Sequence, residues 1–193
     1  MFCQVLQRDI SMGDALKTID VMLADFIRRQ PIFFVATAPL SADGFVNLSP
    51  KGLDSFRILS PTQVVYADYT GSGIETVAHL KENGRIVIMF CAFEGTPGII
   101  RLHGTGRVIE AADPEFAGWI AHFESGEGVR AVIVVDCIRI SKTCGFGVPL
   151  FRFEGHRRQL TDWCERKGSD GLADYHREKN ATSLDGLPGI SVQ

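Results

Sequence analysis

From residue 32 onward the chain breaks into short runs rich in Val, Ile and Phe, at 32–38, 45–49, 56–59 and 64–67, each punctuated by Gly, Pro, Asp or Ser. Runs of this composition at this spacing are strands of an antiparallel meander. Three more follow. Residues 86–90 are continuously apolar, as in a strand covered on both faces; 99–110 is a long strand interrupted by Gly104 and Gly106; and 131–140 is the last strong one. Glycine inside a strand marks a bulge or a close approach by another backbone or a ligand. Six or more strands with few long helices point to a mainly β, α+β chain closed into a barrel.

The remaining segments read as helices around that barrel. Over 14–29 the apolar residues Leu16, Ile19, Leu23, Phe26 and Ile27 recur three and four apart until Pro31, which predicts one amphipathic helix. Val77 and Leu80 share a face within 74–83, and Asn83-Gly84 is a C-terminal stop. Asp113-Pro114 opens a brief helix through about residue 122. Beyond His156 the chain is polar and rich in helix formers over 162–180, which reads as one or two surface helices docked by Leu160, Trp163, Leu172 and Tyr175. Residues 184–193 favour turns or an extended arm. The 193 residues read as a single domain, 1–193: an N-terminal helix over 14–29, a barrel over 32–148 and a helical tail over 156–193.

Composition narrows the function classes. Hydrophobic residues at 45% and charged residues at 22% support a real core, and a net charge of −3 offers no basic field for a phosphate backbone, so no nucleic acid is expected as partner. No run approaches the about 20 apolar residues of a membrane span and no leader pattern opens the chain, so a soluble, cytoplasmic protein without membrane contact is expected. Cys3, Cys91, Cys137, Cys144 and Cys164 are odd in number and form no Cys-x-x-Cys pair, and the five histidines never fall four apart. No metal site is expected, and the thiols read as reduced.

Three segments could carry chemistry. The strand ending Ala67-Asp68-Tyr69 runs through Thr70-Gly71-Ser72-Gly73 straight into a helix. A glycine-bearing turn at a helix N-terminus presents free N–H groups to an anion, with Thr70, Ser72 and Thr76 as added hydroxyls. Ser72-Gly73-Ile74-Glu75 also spells a capping box, in which Ser72 and Glu75 would satisfy the helix end internally. On a second strand Asn47, Ser49 and Lys51 alternate onto one face and Leu48 onto the other, either lining a groove or exposed on an edge that Pro50 marks. Arg101, His103, Thr105 and Arg107 form a third row, suited to clamping a ligand or to pairing with carboxylates on a neighbouring strand. No nucleophile elbow, paired catalytic carboxylates or Ser/His/Asp order supports a hydrolase.

Phe33-Phe34-Val35-Ala36-Thr37-Ala38, Val46-Asn47-Leu48-Ser49-Pro50-Lys51-Gly52, Asp68-Tyr69-Thr70-Gly71-Ser72-Gly73, Phe90-Cys91-Ala92-Phe93-Glu94-Gly95 and Arg101-Leu102-His103-Gly104 together resemble the pyridoxamine 5'-phosphate oxidase-related flavin split-barrel family. The resemblance spans about 32–148. It implies a six-stranded antiparallel split β-barrel with flanking helices, a homodimer, and FMN in two equivalent clefts at the dimer interface. It also implies that the strand matching 46–51 lies along the isoalloxazine and ribityl chain, and that the strand-turn-helix matching 66–76 receives the phosphate. The implied cofactor set is Asn47, Leu48, Ser49, Lys51, Asp68, Tyr69, Thr70, Ser72, Thr76 and Arg101.

Two departures matter. Where the oxidases carry an adjacent Arg-Lys pair for the phosphate, this chain has Glu75-Thr76, which leaves Lys51 or Arg101 to supply charge. The oxidases' C-terminal Arg-x-His and terminal Arg-Leu-x-Pro motifs are absent, so pyridoxal phosphate synthesis is not expected. The leading expectation is an FMN-dependent oxidoreductase acting on an unidentified small-molecule substrate or electron donor. The alternatives are a non-catalytic flavin- or haem-binding protein and a ligand-free structural dimer.

Overall fold

In the computed structural model the described residues are 15–124, 126 and 128–191. Eight strands form one antiparallel sheet. Seven of them, β2 (Phe33–Thr37), β3 (Asn47–Lys51), β4 (Phe56–Ser60), β5 (Gln63–Tyr69), β6 (Arg85–Cys91), β7 (Ile99–Glu110) and β8 (Val129–Thr143), run in the order β3-β2-β6-β7-β8-β5-β4. The eighth, β1 (Ala15–Leu16), pairs with β8. The split-barrel architecture with flanking helices is as the sequence implies, with one more strand on the main path than the expected six.

The strands form where β-branched and aromatic residues alternate, and one face of each turns inward. Val35, Tyr66, Ile88, Leu102, Ile133 and Ile140 meet there in one fully buried cluster. Helix α1 (Val21–Arg28) closes the barrel with Leu23 and Ile27, and Asp20 caps it by accepting a 2.8 Å bond from the Leu23 N–H. The predicted helix over 14–29 is thus shorter: Ala15 and Leu16 lie in β1, and residue 14 is outside the described residues. Leu16 and Ile19 pack on the same cluster as α1, so a strand and a helix share one apolar stripe in the sequence.

Strand β6 alternates buried and half-buried residues, so it is not covered on both faces as its apolar run predicts. The doubly covered strands are β5 and β8, whose Val65, Val132 and Val134 pack outward under Phe116 and Ile120 of α3 (Phe116–Ile120). The bulge predicted by Gly104 is present, with the register shifting between His103 and Gly104, where a Cβ would sit 2.3 Å from the Asp136 carbonyl. Helix α2 (Glu75–Asn83) follows β5 and stops at Gly84, whose φ of 71° is left-handed. The tail helix α4 (Gln159–Lys179) is broken at Gly168 (φ 63°), giving two segments. The chain then crosses α2 as a strap over 180–191 that doubles back on itself, Thr182 bridging to Pro188: Ile190 enters the core, Lys81 Nζ donates to the Gly189 carbonyl, and Asp185 lies 3.6 Å from His79 Nε2.

Candidate functional site

Residues Asn47, Ser49 and Lys51 of β3 do fall on one face, the inner one, between the start of α2 and the end of β5. Asn47 Nδ2 donates to Thr76 Oγ1 at 2.9 Å and to Thr37 Oγ1 at 3.2 Å, tying the first turn of α2 to the strand. Lys51 Nζ donates to Asp68 Oδ1 at 2.7 Å. Between them the Ser49 hydroxyl is buried with no hydrogen-bond partner among the described residues. Such orphaned groups cost free energy unless something satisfies them.

Asp68 is fully buried and shared by two cations, since Arg130 Nε donates to its Oδ2 at 2.9 Å. Burial pushes the Asp68 carboxyl up, but Lys51 and Arg130 outweigh it and hold it below its ordinary value of 3.8. The remaining donors of Arg130 reach the turn: Nη1 donates to the Gly71 carbonyl at 3.0 Å and Nη2 to the Gly73 carbonyl at 2.7 Å. Thr70 pairs with His176 Nε2 at 2.8 Å, and burial followed by the nearby Arg130 holds His176 below its ordinary 6.5, so this contact is between neutral groups at pH 7.

The capping box does not form. Helix α2 begins at Glu75 with Ile74 as a cap that makes no side-chain bond. Instead Glu75 Oε1 accepts from the Leu184 N–H of the strap at 3.4 Å. Among the described residues no backbone N–H of residues 71–77 donates to a carbonyl or a side chain. A nine-residue helix therefore opens with an unfilled row of donors at the positive end of its dipole.

A model of the pyridoxamine 5'-phosphate oxidase family matches residues 20–144, which includes β3, the turn and α2. The chain belongs to that family. It is 44% identical over 185 residues to the pyridoxamine 5'-phosphate oxidase family protein ustO of Aspergillus flavus, in a match covering 87% of this chain and 74% of that protein. A crystal structure of a HupZ variant from Group A Streptococcus superposes with a TM-score of 0.51 at 26% identity, covering 64% of this chain and 98% of the other.

Within this family member, not all of the implied cofactor residues converge. Asn47, Ser49, Lys51, Asp68, Thr70, Ser72 and Thr76 lie together along β3, β5 and the turn. Leu48 is on the outer face and largely exposed. Tyr69 turns from the barrel interior to pack beside α3. Arg101 is also on the outer face, aligned with Met89, and donates to Thr143 Oγ1 at 3.2 Å. Its partner is a hydroxyl on β8 and it stands across the sheet from the turn; of its row it is Arg107 that meets a carboxylate, Glu115 at 3.3 Å, which lies just before α3 rather than on a neighbouring strand. Lys51 is committed to Asp68, so it is no free counter-charge either.

Arg130, His176, Asn180 and Thr37 are the polar residues that sequence reasoning missed. Arg130 did carry a signal, being the one charge in the otherwise apolar run 129–135. Such a residue at the buried start of β8 must be paired. Beside the outer end of β3 an open cleft of about 1570 Å³ is lined by Phe26, Phe34, Pro50, Lys51, Phe93 and Phe151 among others. That volume exceeds the usual range for a ligand pocket.

Proposed function

We propose that the protein binds FMN, with the phosphate at the N-terminus of α2 and the rest of the cofactor along β3, and that it is an oxidoreductase for a small organic molecule. The observation that carries this reading is the unfilled row of N–H donors at residues 71–77, placed beside the orphaned Ser49 hydroxyl. Both are donors or acceptors that the described residues leave unmet, and a phosphate and a polar chain meet them. Side-chain charge contributes little, because Lys51 and Arg130 are both paired with Asp68 and Glu75 adds a further negative charge in the first turn of α2. The phosphate is therefore held by main-chain N–H groups, Thr and Ser hydroxyls and the helix dipole.

Bound flavin supplies hydride or electron transfer, and the chain supplies orientation and exclusion of water. We also propose that a homodimer completes the site. On the outer face of β2 and β6 Phe34, Ala36, Val87 and Met89 are only half-buried, and Leu48 beside them on β3 is 65% exposed. No described segment of the chain covers this face, and the cleft opens beside it. Phe90 takes no part in that face, because it points into the core against Phe33 and Phe56.

An absorption spectrum of the freshly purified protein, followed by FMN titration, tests the binding. Flavin bands or saturable quenching of added FMN support it, and a haem spectrum or colourless protein that ignores FMN overturns it. Anaerobic reduction by a nicotinamide donor then separates an enzyme from a flavin carrier. Light scattering at micromolar concentration should return twice the protomer mass.

A further inference from the structure

Three successive carbonyls of the turn between β5 and α2, those of Gly71, Ser72 and Gly73, face the same two side chains. Gly71 O accepts from Arg130 Nη1 (3.0 Å) and from Asn180 Nδ2 (2.8 Å), Gly73 O accepts from Arg130 Nη2 (2.7 Å), and Ser72 O lies 3.5 Å from Asn180 Nδ2. Every described peptide bond is trans, and in a trans peptide the N–H points opposite to the C=O. Holding the carbonyls of Gly71, Ser72 and Gly73 toward Arg130 and Asn180 therefore turns the N–H groups of Ser72, Gly73 and Ile74 to the other side. Three successive N–H groups aimed alike make an anion-binding concavity. In a free glycine-rich turn these orientations would be lost to conformational entropy.

Asn180 is well placed to hold them. It is fully buried, and it sits where α4 ends and the strap begins. Its own carbonyl accepts from the Ile190 N–H at 3.0 Å, and Ala181 O accepts from Gly189 N–H at 2.8 Å, so the strap folds back on itself around it. Gly189 is required there, since a Cβ would come within 1.9 Å of the Asn180 carbonyl. The same strap takes Glu75 through the Leu184 N–H, occupying the carboxylate nearest to the turn.

We propose that Asn180 is a positioning residue for the phosphate end of the cofactor, acting through the Gly71 and Ser72 carbonyls to aim the N–H groups of Ser72, Gly73 and Ile74. This rests on the reading of the turn as the phosphate site. It assigns the C-terminal strap a part in selecting a phosphorylated ligand over its unphosphorylated form.

The test is a pair of fluorescence titrations, with FMN and with riboflavin, which differ only in the phosphate, on the full chain and on Asn180→Ala. The wild type should prefer FMN. Asn180→Ala should weaken FMN about ten-fold, the scale of one charge-assisted hydrogen bond, and leave riboflavin within about two-fold. If Asn180→Ala does not fold, as judged by thermal melting, Asn180→Asp keeps the side-chain volume but loses the donors and should show the same selective loss. Equal weakening of both ligands, or an undiminished FMN preference in the variant that folds, overturns the role of Asn180 alone. A wild type that binds riboflavin as tightly as FMN, or neither ligand, overturns the phosphate reading and this inference with it.

Discussion

The two halves of the sheet are finished differently. Around β5 and β8 both faces are covered: Val64, Tyr66, Ile133 and Val135 face the barrel core, while Val65, Val132 and Val134 pack under α3, and all are essentially inaccessible. Around β2, β3 and β6 only the inner face is closed. Ala36, Val87 and Met89 on the outer face stay half-buried, and Leu48 is mostly exposed. A short helix and the turn after it suffice to cover one half because Phe116, Trp119, Ile120 and Phe123 are large. The open half is the face to which we assign the proposed second copy, since contiguous apolar surface is normally buried by something.

The sharpest way to break this contrast is at Arg130, the charge buried inside the finished half. Arg130→Met leaves Asp68 with Lys51 as its one cation and releases the carbonyls of Gly71 and Gly73. Loss of about 3–5 kcal/mol in denaturant unfolding is expected, the scale for breaking a buried ion pair. Stability within about 1 kcal/mol of wild type would show that Lys51 alone satisfies Asp68.

Next in size is a comparison of two truncations. Ile133→Ala, in the closed half, should cost about 2–5 kcal/mol, whereas Met89→Ala on the open face should cost the protomer less than about 1 kcal/mol. Met89→Lys should halve the mass seen by light scattering while leaving the fold intact by circular dichroism. An unchanged dimer mass would move the interface elsewhere.

Acid should act through the tail. His176 has its pKa lowered in the folded chain, first by burial and then by Arg130, so the unfolded chain binds its proton more readily. Stability is therefore fully present above the unfolded value of 6.5 and is lost as pH falls through the lower folded one. Melting temperature followed from pH 7.5 to 5 should fall, and His176→Gln should flatten that decline. A second loss, through protonation of Asp68, is expected only below its ordinary 3.8.

The smallest effect concerns Glu75. Removing a carboxylate from the first turn of α2 takes away a like-charge repulsion for phosphate on the order of 1 kcal/mol in a water-exposed turn, so Glu75→Gln should leave FMN affinity unchanged or slightly tighter. Clear weakening in the titration would mean that the bond from the Leu184 N–H organises the turn.

Local patterning was enough to read the strands, the bulge at Gly104, the stop at Gly84 and the alternation of Asn47, Ser49 and Lys51 onto one face, though not that this face is the inner one. These follow from φ restrictions, from the period of two along a strand and from burial of one face, all of which act within a few residues. The family resemblance located the turn after Asp68 for a related reason, because its glycines and hydroxyls are contiguous. Tertiary structure alone decided which groups meet across the fold. Lys51 pairs with Asp68 rather than standing free, Arg101 lies across the sheet from the turn, and Leu16 belongs to a strand rather than to α1. The pairing of Asn180 with Gly71, 109 positions away, was equally invisible. A hydrogen bond is set by the positions of two backbones, and no periodicity in the chain encodes where a strap will cross a helix.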